Sequence, residues 1–297
     1  MEEIMPELKE ILANTYCNAV AEYFSRNKLS IDEDLTNLSP QEQEAALYQI
    51  ITNYSAEKSK VIEKWANTPL EELQGSTPDQ AISDLSSLEQ VFEIFTHIAR
   101  AADEHPPALL IKKLQQYGND AVSQLYQLAV DNRDGEPPAD YLFAASVITL
   151  GTMVMDECIE ALITLAYQVE KEPQLEQIEA ALKLHKDRTI EPILERMGDT
   201  GFGNVETMLL YVLACSGAND DRIYRLIRSA FRTMDNKMHA ILCFEVYGDG
   251  RAVPMLRSFL EKNAHGLPDR VFHQIVGTIR RLGGNTEDFM NAHHHAH

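Results

Sequence analysis

A chain of 297 residues with 44% hydrophobic side chains has the material for one elongated domain or two compact ones. Its formal net charge of −20 argues against general nucleic-acid binding, which needs lysine and arginine to displace phosphate counterions. No apolar run approaches the ~20 residues of a membrane span, and frequent 3.6-residue spacing without clean period-2 runs predicts an all-α protein.

In chain order, residues 4–25 predict an amphipathic helix, with Leu8, Ile11, Leu12, Tyr16, Ala19, Val20 and Tyr23 at three- and four-residue steps. The acidic start MEEIMPELKE is unlike a signal or transit peptide. A polar connector, Asn27 to Leu38, precedes a second helix opened by Ser39 as N-cap, Pro40 at the first position and Glu42 as the capping-box acid. Glu57 to Ala66 predicts a third helix carrying Trp65, the sole tryptophan. Thr68-Pro69 and Thr77-Pro78 each read as an N-cap followed by a first helical residue, with Gly75 as the turn between them. The wording Trp65-Ala66-Asn67-Thr68-Pro69 … Thr77-Pro78 resembles a short segment of bacterial antitoxin-type helical modules that bind partner proteins. Two capped helix starts around a tight turn account for most of the same residues. Leu85 to Ala102 predicts a further helix, and Asp103-Glu104-His105-Pro106-Pro107 ends it, because proline cannot continue one. A domain boundary is expected there, between an acidic helical region, 1–105, and a repeat region, 106–284.

The repeat region is legible in one elbow and its copy. In AALKLHKDRTIEPILERM (180–197) an apolar helix end meets a polar corner, and Ile190, Pro192, Ile193 and Leu194 begin the next helix. Asp187 is placed to N-cap that helix, and Pro192 to sit in its first turn. CFEVYGDGRAVPMLRSFL (243–260) repeats the wording, Asp249 matching Asp187, Pro254 matching Pro192 and Leu256 matching Leu194. Looser copies place corners at Asn119, Asp156 and Asp221, while Arg133–Pro138 and Gly198–Gly203 separate hairpins. An irregular period of roughly 28–37 residues with two helices per unit is the sign of an α-solenoid. These elbows resemble the HEAT-repeat family, in particular its short bacterial form related to phycobilisome-lyase repeats. The resemblance spans residues 106–284 and implies an α-solenoid of helical hairpins behind an N-terminal helical region. It implies an interaction scaffold rather than lyase activity. A terminal helix is expected over Pro268–Leu282, and residues 285–297 as a flexible tail.

Little in the sequence points to catalysis. Gly201-Phe202-Gly203 and Gly248-Asp249-Gly250 follow no strand, as a dinucleotide loop would require. Cys17, Cys158, Cys215 and Cys243 form no CxxC pair and are expected as free thiols in a reducing cytoplasm. Glu261 and His265 lie four apart at an expected helix end, where the histidine complements the helix dipole. His293, His294, His295 and His297 sit on the tail without the supporting hydrogen bonds of a built metal site, so neither metal nor cofactor is expected.

The charge map is uneven. Residues 1–105 carry 7 basic and 20 acidic side chains, a net −13, and residues 106–219 a net −9, whereas residues 220–297 carry +2. Arg225, Arg228 and Arg232 share one face of an expected helix from Asp221 to Thr233; Arg222 precedes them, and Arg251 and Arg257 belong to the next hairpin. The six are expected to dock an acidic segment, of another protein or of this chain, or else to pair with local acids such as Asp220, Asp221 and Asp235. The leading expectation is therefore a non-catalytic adaptor that binds protein, with no nucleic-acid or membrane role. The alternatives are an enzyme on the same scaffold, phycobilin-lyase-like or DNA-glycosylase-like, and a regulatory module paired with a partner. A glycosylase needs a basic face set with aromatic side chains, yet residues 106–297 net −7 and contain no tryptophan.

Overall fold

A computed structural model describes residues 4–26, 40–102, 106–136, 139–197, 201–263 and 266–289, and among these every regular element is a helix. The protein is all-α. It divides into two compact units, Met1–Met153 and Val154–His297.

The first unit holds α1 (Ile4–Arg26), α2 (Pro40–Asn67), α3 (Pro78–Ser83), α4 (Leu88–Ala102), α5 (Ala108–Gln115), α6 (Asn119–Asn132) and α7 (Ala139–Thr152). α1 packs against both α2 and α4, burying Leu12, Ala13, Tyr16 and Val20. Tyr16 meets Trp65 edge to face at 5.1 Å between ring centres. The indole N–H donates to Thr15 Oγ1 at 3.1 Å, so this buried ring has its one polar atom satisfied. Lys9 and Glu93 join α1 to α4. α7 is apolar on most of its circumference and lies along α6. Its buried Ser146 and Thr149 return their hydroxyls to Leu142 O and Ala145 O, each at 2.7 Å, which satisfies them within the helix.

Several expectations are corrected in this unit. The second and third helices are one, α2: between Ile51 and Glu57 the chain holds no glycine or proline, and the residues there cost only tenths of a kcal/mol each, so nothing stops the helix. Thr68 is no N-cap; its hydroxyl turns back to Lys64 O at 2.6 Å and closes α2. Thr77 does cap α3. Its Oγ1 accepts from Gln80 N at 3.1 Å and its own N–H donates to Gln80 Oε1 at 3.0 Å. Gly75 lies in the turn at φ +87°, a left-handed conformation that suits glycine. α4 starts at Leu88 rather than Leu85, with Ser87 Oγ accepting from Gln90 N at 3.3 Å. The units divide at Met153 and not at His105-Pro106. Beyond the double proline, α5 returns onto α3 and α4, α7 packs on α4, and Lys113 Nζ donates to Ser83 O at 2.7 Å. Proline ends a helix; only missing contacts end a unit. Residues 27–39 and 103–105, with the connector, the Ser39 cap and the acids of the expected boundary, lie outside the described residues.

The second unit holds α8 (Asp156–Ala166), α9 (Glu172–Leu184), α10 (Ile190–Met197), α11 (Asn204–Cys215), α12 (Asp221–Thr233), α13 (Met238–Tyr247), α14 (Val253–Asn263) and α15 (Asp269–Arg281). Helices pair in sequence, α8 with α9 and so on to α14 with α15. The second members form a row in which α9 packs on α11, α11 on α13 and α13 on α15. Ile178, Leu182, Leu209, Leu213, Ile241, Phe244, Ile275 and Ile279 are buried along that row, each contributing roughly 1.5–3 kcal/mol of burial. Phe231 of α12 stands edge-on to Phe244 at 6.0 Å and to Phe259 at 5.2 Å, linking three successive helices.

The corners depart from expectation in detail. Asp187 does not cap α10. It lies inside a 3-10 turn, Lys186–Thr189, which has no side-chain cap. Asp249 does cap, accepting from Arg251 N at 2.8 Å at the start of the 3-10 turn Gly250–Ala252. At the α11–α12 corner the cap is Asp220 rather than Asp221, accepting from Arg222 N at 2.8 Å. The segment after α15 is packed as far as residue 289. Thr286 and Phe289 are buried, Arg280 Nε donates to Thr286 Oγ1 at 2.6 Å, and Arg257 pairs with Asp288 at 2.5 Å. Residues 198–200, His265 and the tail histidines lie outside the described residues.

Candidate functional site

The arginines singled out by spacing fall into two groups. Arg222 opens α12 and is gripped twice. Its Nη1 and Nη2 reach both oxygens of Glu191 on α10, at 3.0 and 2.5 Å, and its Nε and Nη2 reach Asp220 at 3.1 and 2.7 Å. The two carboxylates, Glu191 first, raise the Arg222 guanidinium further above its already high range. In return, the hydrogen bonds of Arg222 hold Asp220 and Glu191 below the usual carboxylate range. Arg251 repeats the arrangement one hairpin on. It binds Asp249 at 2.6 Å and reaches back to Asp221 at 2.8 Å, with its guanidinium 4.4 Å from the centre of the Tyr224 ring. Arg257 is taken up by Asp288 and by Asn285 O.

Arg225, Arg228 and Arg232 differ. All three are exposed, and among the described residues no acid pairs with any of them. They lie within an arc of about 60° and over about 10 Å of helix. The opposite face buries Ile223, Ile227, Ala230 and Phe231, so the stripe is held on a rigid, well-packed support. The structure thus brings Arg225, Arg228 and Arg232 together as an open face, and places Arg222, Arg251 and Arg257 in internal pairs.

The internal pairing was not foreseen in full. Arg188 completes it, donating to Asp156 Oδ1 at 2.6 Å. Asp156, Glu191 and Asp221 each stand in the first turn of α8, α10 and α12, and each takes an arginine from the corner of the next hairpin. Two signals were available. Asp-x-Arg recurs at 220–222 and 249–251, and arginine recurs at 188, 222 and 251, in step with the corners.

Beside these corners lies a cavity of 660 Å³, lined by Cys215, Gly217, Asn219, Asp221, Val246 and Arg251 among others. Its wall is braced by the Tyr247 hydroxyl, which donates to Asp220 O at 2.8 Å and accepts from Asp220 N at 2.9 Å. All four cysteines are free thiols. Burial pushes Cys158 and Cys243 up to about 12, so both are protonated at neutral pH. Burial also raises Cys215, although nearby Lys183 opposes it. Among the described residues no cluster of three or more His, Cys, Asp or Glu is placed to hold a metal ion. No helix among them is long and apolar enough to cross a membrane. No protein-family model matches the chain, and no curated protein or solved structure matches it.

Proposed function

We propose that the second unit is a HEAT-like helical array, and that the protein is a non-catalytic adaptor which docks an acidic segment of a partner protein on the open face of α12. The observation that carries this reading is the division of the α12 arginines. Arg222 is neutralised by two carboxylates, while Arg225, Arg228 and Arg232 stand exposed with no acid partner among the described residues. Arginine grips carboxylates with two parallel hydrogen bonds, a geometry lysine lacks. The pairing of neighbouring hairpins supports the array, since each repeat unit leans on the next as solenoid repeats do. The four free thiols agree with a cytoplasmic setting.

The test is the double reversal Arg225→Glu/Arg228→Glu, read by melting temperature and by binding of a fluorescent polyglutamate peptide. The expected result is loss of peptide binding with an unchanged melting temperature, because neither side chain has an acid partner among the described residues. Wild-type binding should weaken as salt shortens the Debye length below ~10 Å. Retained peptide binding by the reversed protein would overturn the proposal.

A further inference from the structure

The α12 face carries information about the shape of its partner as well as its charge. Its arginines follow steps of three and four residues, so their attachment points rise by about 4.5 and 6 Å. A helical partner repeats those steps with carboxylates at i, i+3 or i+4, and i+7 on one side. An extended strand presents same-side residues every ~6.6 Å, and falls out of step over the same length.

The molecule already contains such a contact. One turn upstream on α12, Arg222 takes both oxygens of Glu191, a residue on another helix, α10. Arg188 of the turn before α10 likewise reaches Asp156 on α8. Arginine from one corner thus ties to a carboxylate in the first turn of a preceding helix, and in the Arg222–Glu191 pair both partners are helical. The open face continues the line of Arg222 along the same helix. A second copy of α12 laid on the first would oppose arginine to arginine, which excludes symmetric self-pairing of this face.

We infer that the partner segment is an acidic α-helix lying along α12, its carboxylates on one face and in step with Arg225, Arg228 and Arg232. This rests on the docking reading above and adds the conformation and spacing of the occupant. The face selects for spacing because a carboxylate pointing away from α12 gains only screened, long-range attraction, whereas one in step closes a two-point hydrogen bond.

The experiment uses the full chain and two alanine-based peptides of about 20 residues, long enough to be helical in water. Both carry four glutamates. In the first they stand at i, i+3, i+4 and i+7 on one face, which serves either helix direction. In the second they occupy four consecutive positions and so point all round the helix. Fluorescence anisotropy should show the one-face peptide binding about tenfold more tightly, the sum of two or three exposed pairs. Arg225→Glu/Arg228→Glu should abolish that binding at unchanged melting temperature. Replacing Arg225, Arg228 and Arg232 together by lysine should keep the charge and erase most of the preference between peptides. Equal binding of both peptides to wild type, lost on charge reversal, would overturn the helical partner and leave the docking reading intact. Binding of neither peptide to wild type would overturn both. Undiminished binding of the one-face peptide to the reversed protein would place its site elsewhere and overturn the inference.

Discussion

The elbow at residues 185–192 and the elbow at residues 247–254 turn the chain through the same backbone step by different chemistry. In the later one Gly248 takes the left-handed conformation at φ +78°, and its N–H closes α13 onto Phe244 O at 3.0 Å. Asp249 then caps the following turn and holds Arg251, which reaches back to Asp221. In the earlier elbow the matching position is Lys186, which adopts φ +52° despite its side chain. Asp187 makes no cap there. Instead the buried Thr189, the match of Arg251, closes the turn by donating from Oγ1 to Lys186 O at 2.7 Å. The backward ion pair survives with its arginine one position earlier, from Arg188 to Asp156. The comparison separates what an elbow requires from what it tolerates. Both contain a left-handed residue at the corner and an arginine tie to the preceding hairpin, while the capping carboxylate occurs in one only.

The later elbow is also backed by the segment that follows α15, and there the largest effect is expected. A Cβ at Gly284 would stand 2.6 Å from Ile279 Cγ2 and 2.7 Å from Val253 Cγ1, with Ile279 O at 3.2 Å. Gly284→Ala should therefore displace the start of α14 and destabilise by about 1–3 kcal/mol, seen as a lowered denaturation midpoint. A mutant as stable as wild type would show that the segment after α15 does not brace this elbow.

Next come the two aspartates. Asp249→Ala removes a cap and one arm of the Arg251 grip, and should cost about 1–2 kcal/mol. Asp187→Ala, at a site without a cap, should stay within about 0.5 kcal/mol of wild type. Equal losses in thermal melts would erase the distinction between the elbows. The pH dependence sharpens it. The hydrogen bond from Arg251 lowers the Asp249 carboxyl below its ordinary value of 3.8. A group whose pKa falls on folding stabilises fully above its unfolded value and loses that contribution as pH falls through the folded one. The melting-temperature gap between wild type and Asp249→Asn should be full near neutrality and narrow as the pH falls below about 3.8. A gap that widens on acidification would contradict the assigned sign.

The smaller of the sizeable effects is a gain. Lys186→Gly should relieve the left-handed strain, offset in part by the added freedom of the unfolded chain, for a net stabilisation of about 0.5–1 kcal/mol. Gly248→Ala should lose about as much. A destabilised Lys186→Gly would mean that the lysine side chain supports the corner by its own contacts.

The all-α class, the helical positions of α1, α4 and α15, the Thr77 cap and the grouping of three arginines on one face were legible in the sequence. Each depends on local rules: a 3.6-residue period, a threonine N-cap followed by proline at the first helical position, and steps of three and four along one helix. Tertiary structure decided the rest, because those questions turn on groups distant in the chain. Pro106-Pro107 ended a helix without ending a unit, since the returning α5 and α7 found partners on α3 and α4. Asp187 and Asp249 share a wording, yet only one caps, and a local pattern does not say whether a hydroxyl or a carboxylate will close the turn. Arg222, Arg251 and Arg257 looked like neighbours of Arg225, Arg228 and Arg232 in sequence. They left that group because Glu191, Asp221 and Asp288, each about thirty residues from its partner, reach them only when segments distant in the chain pack together.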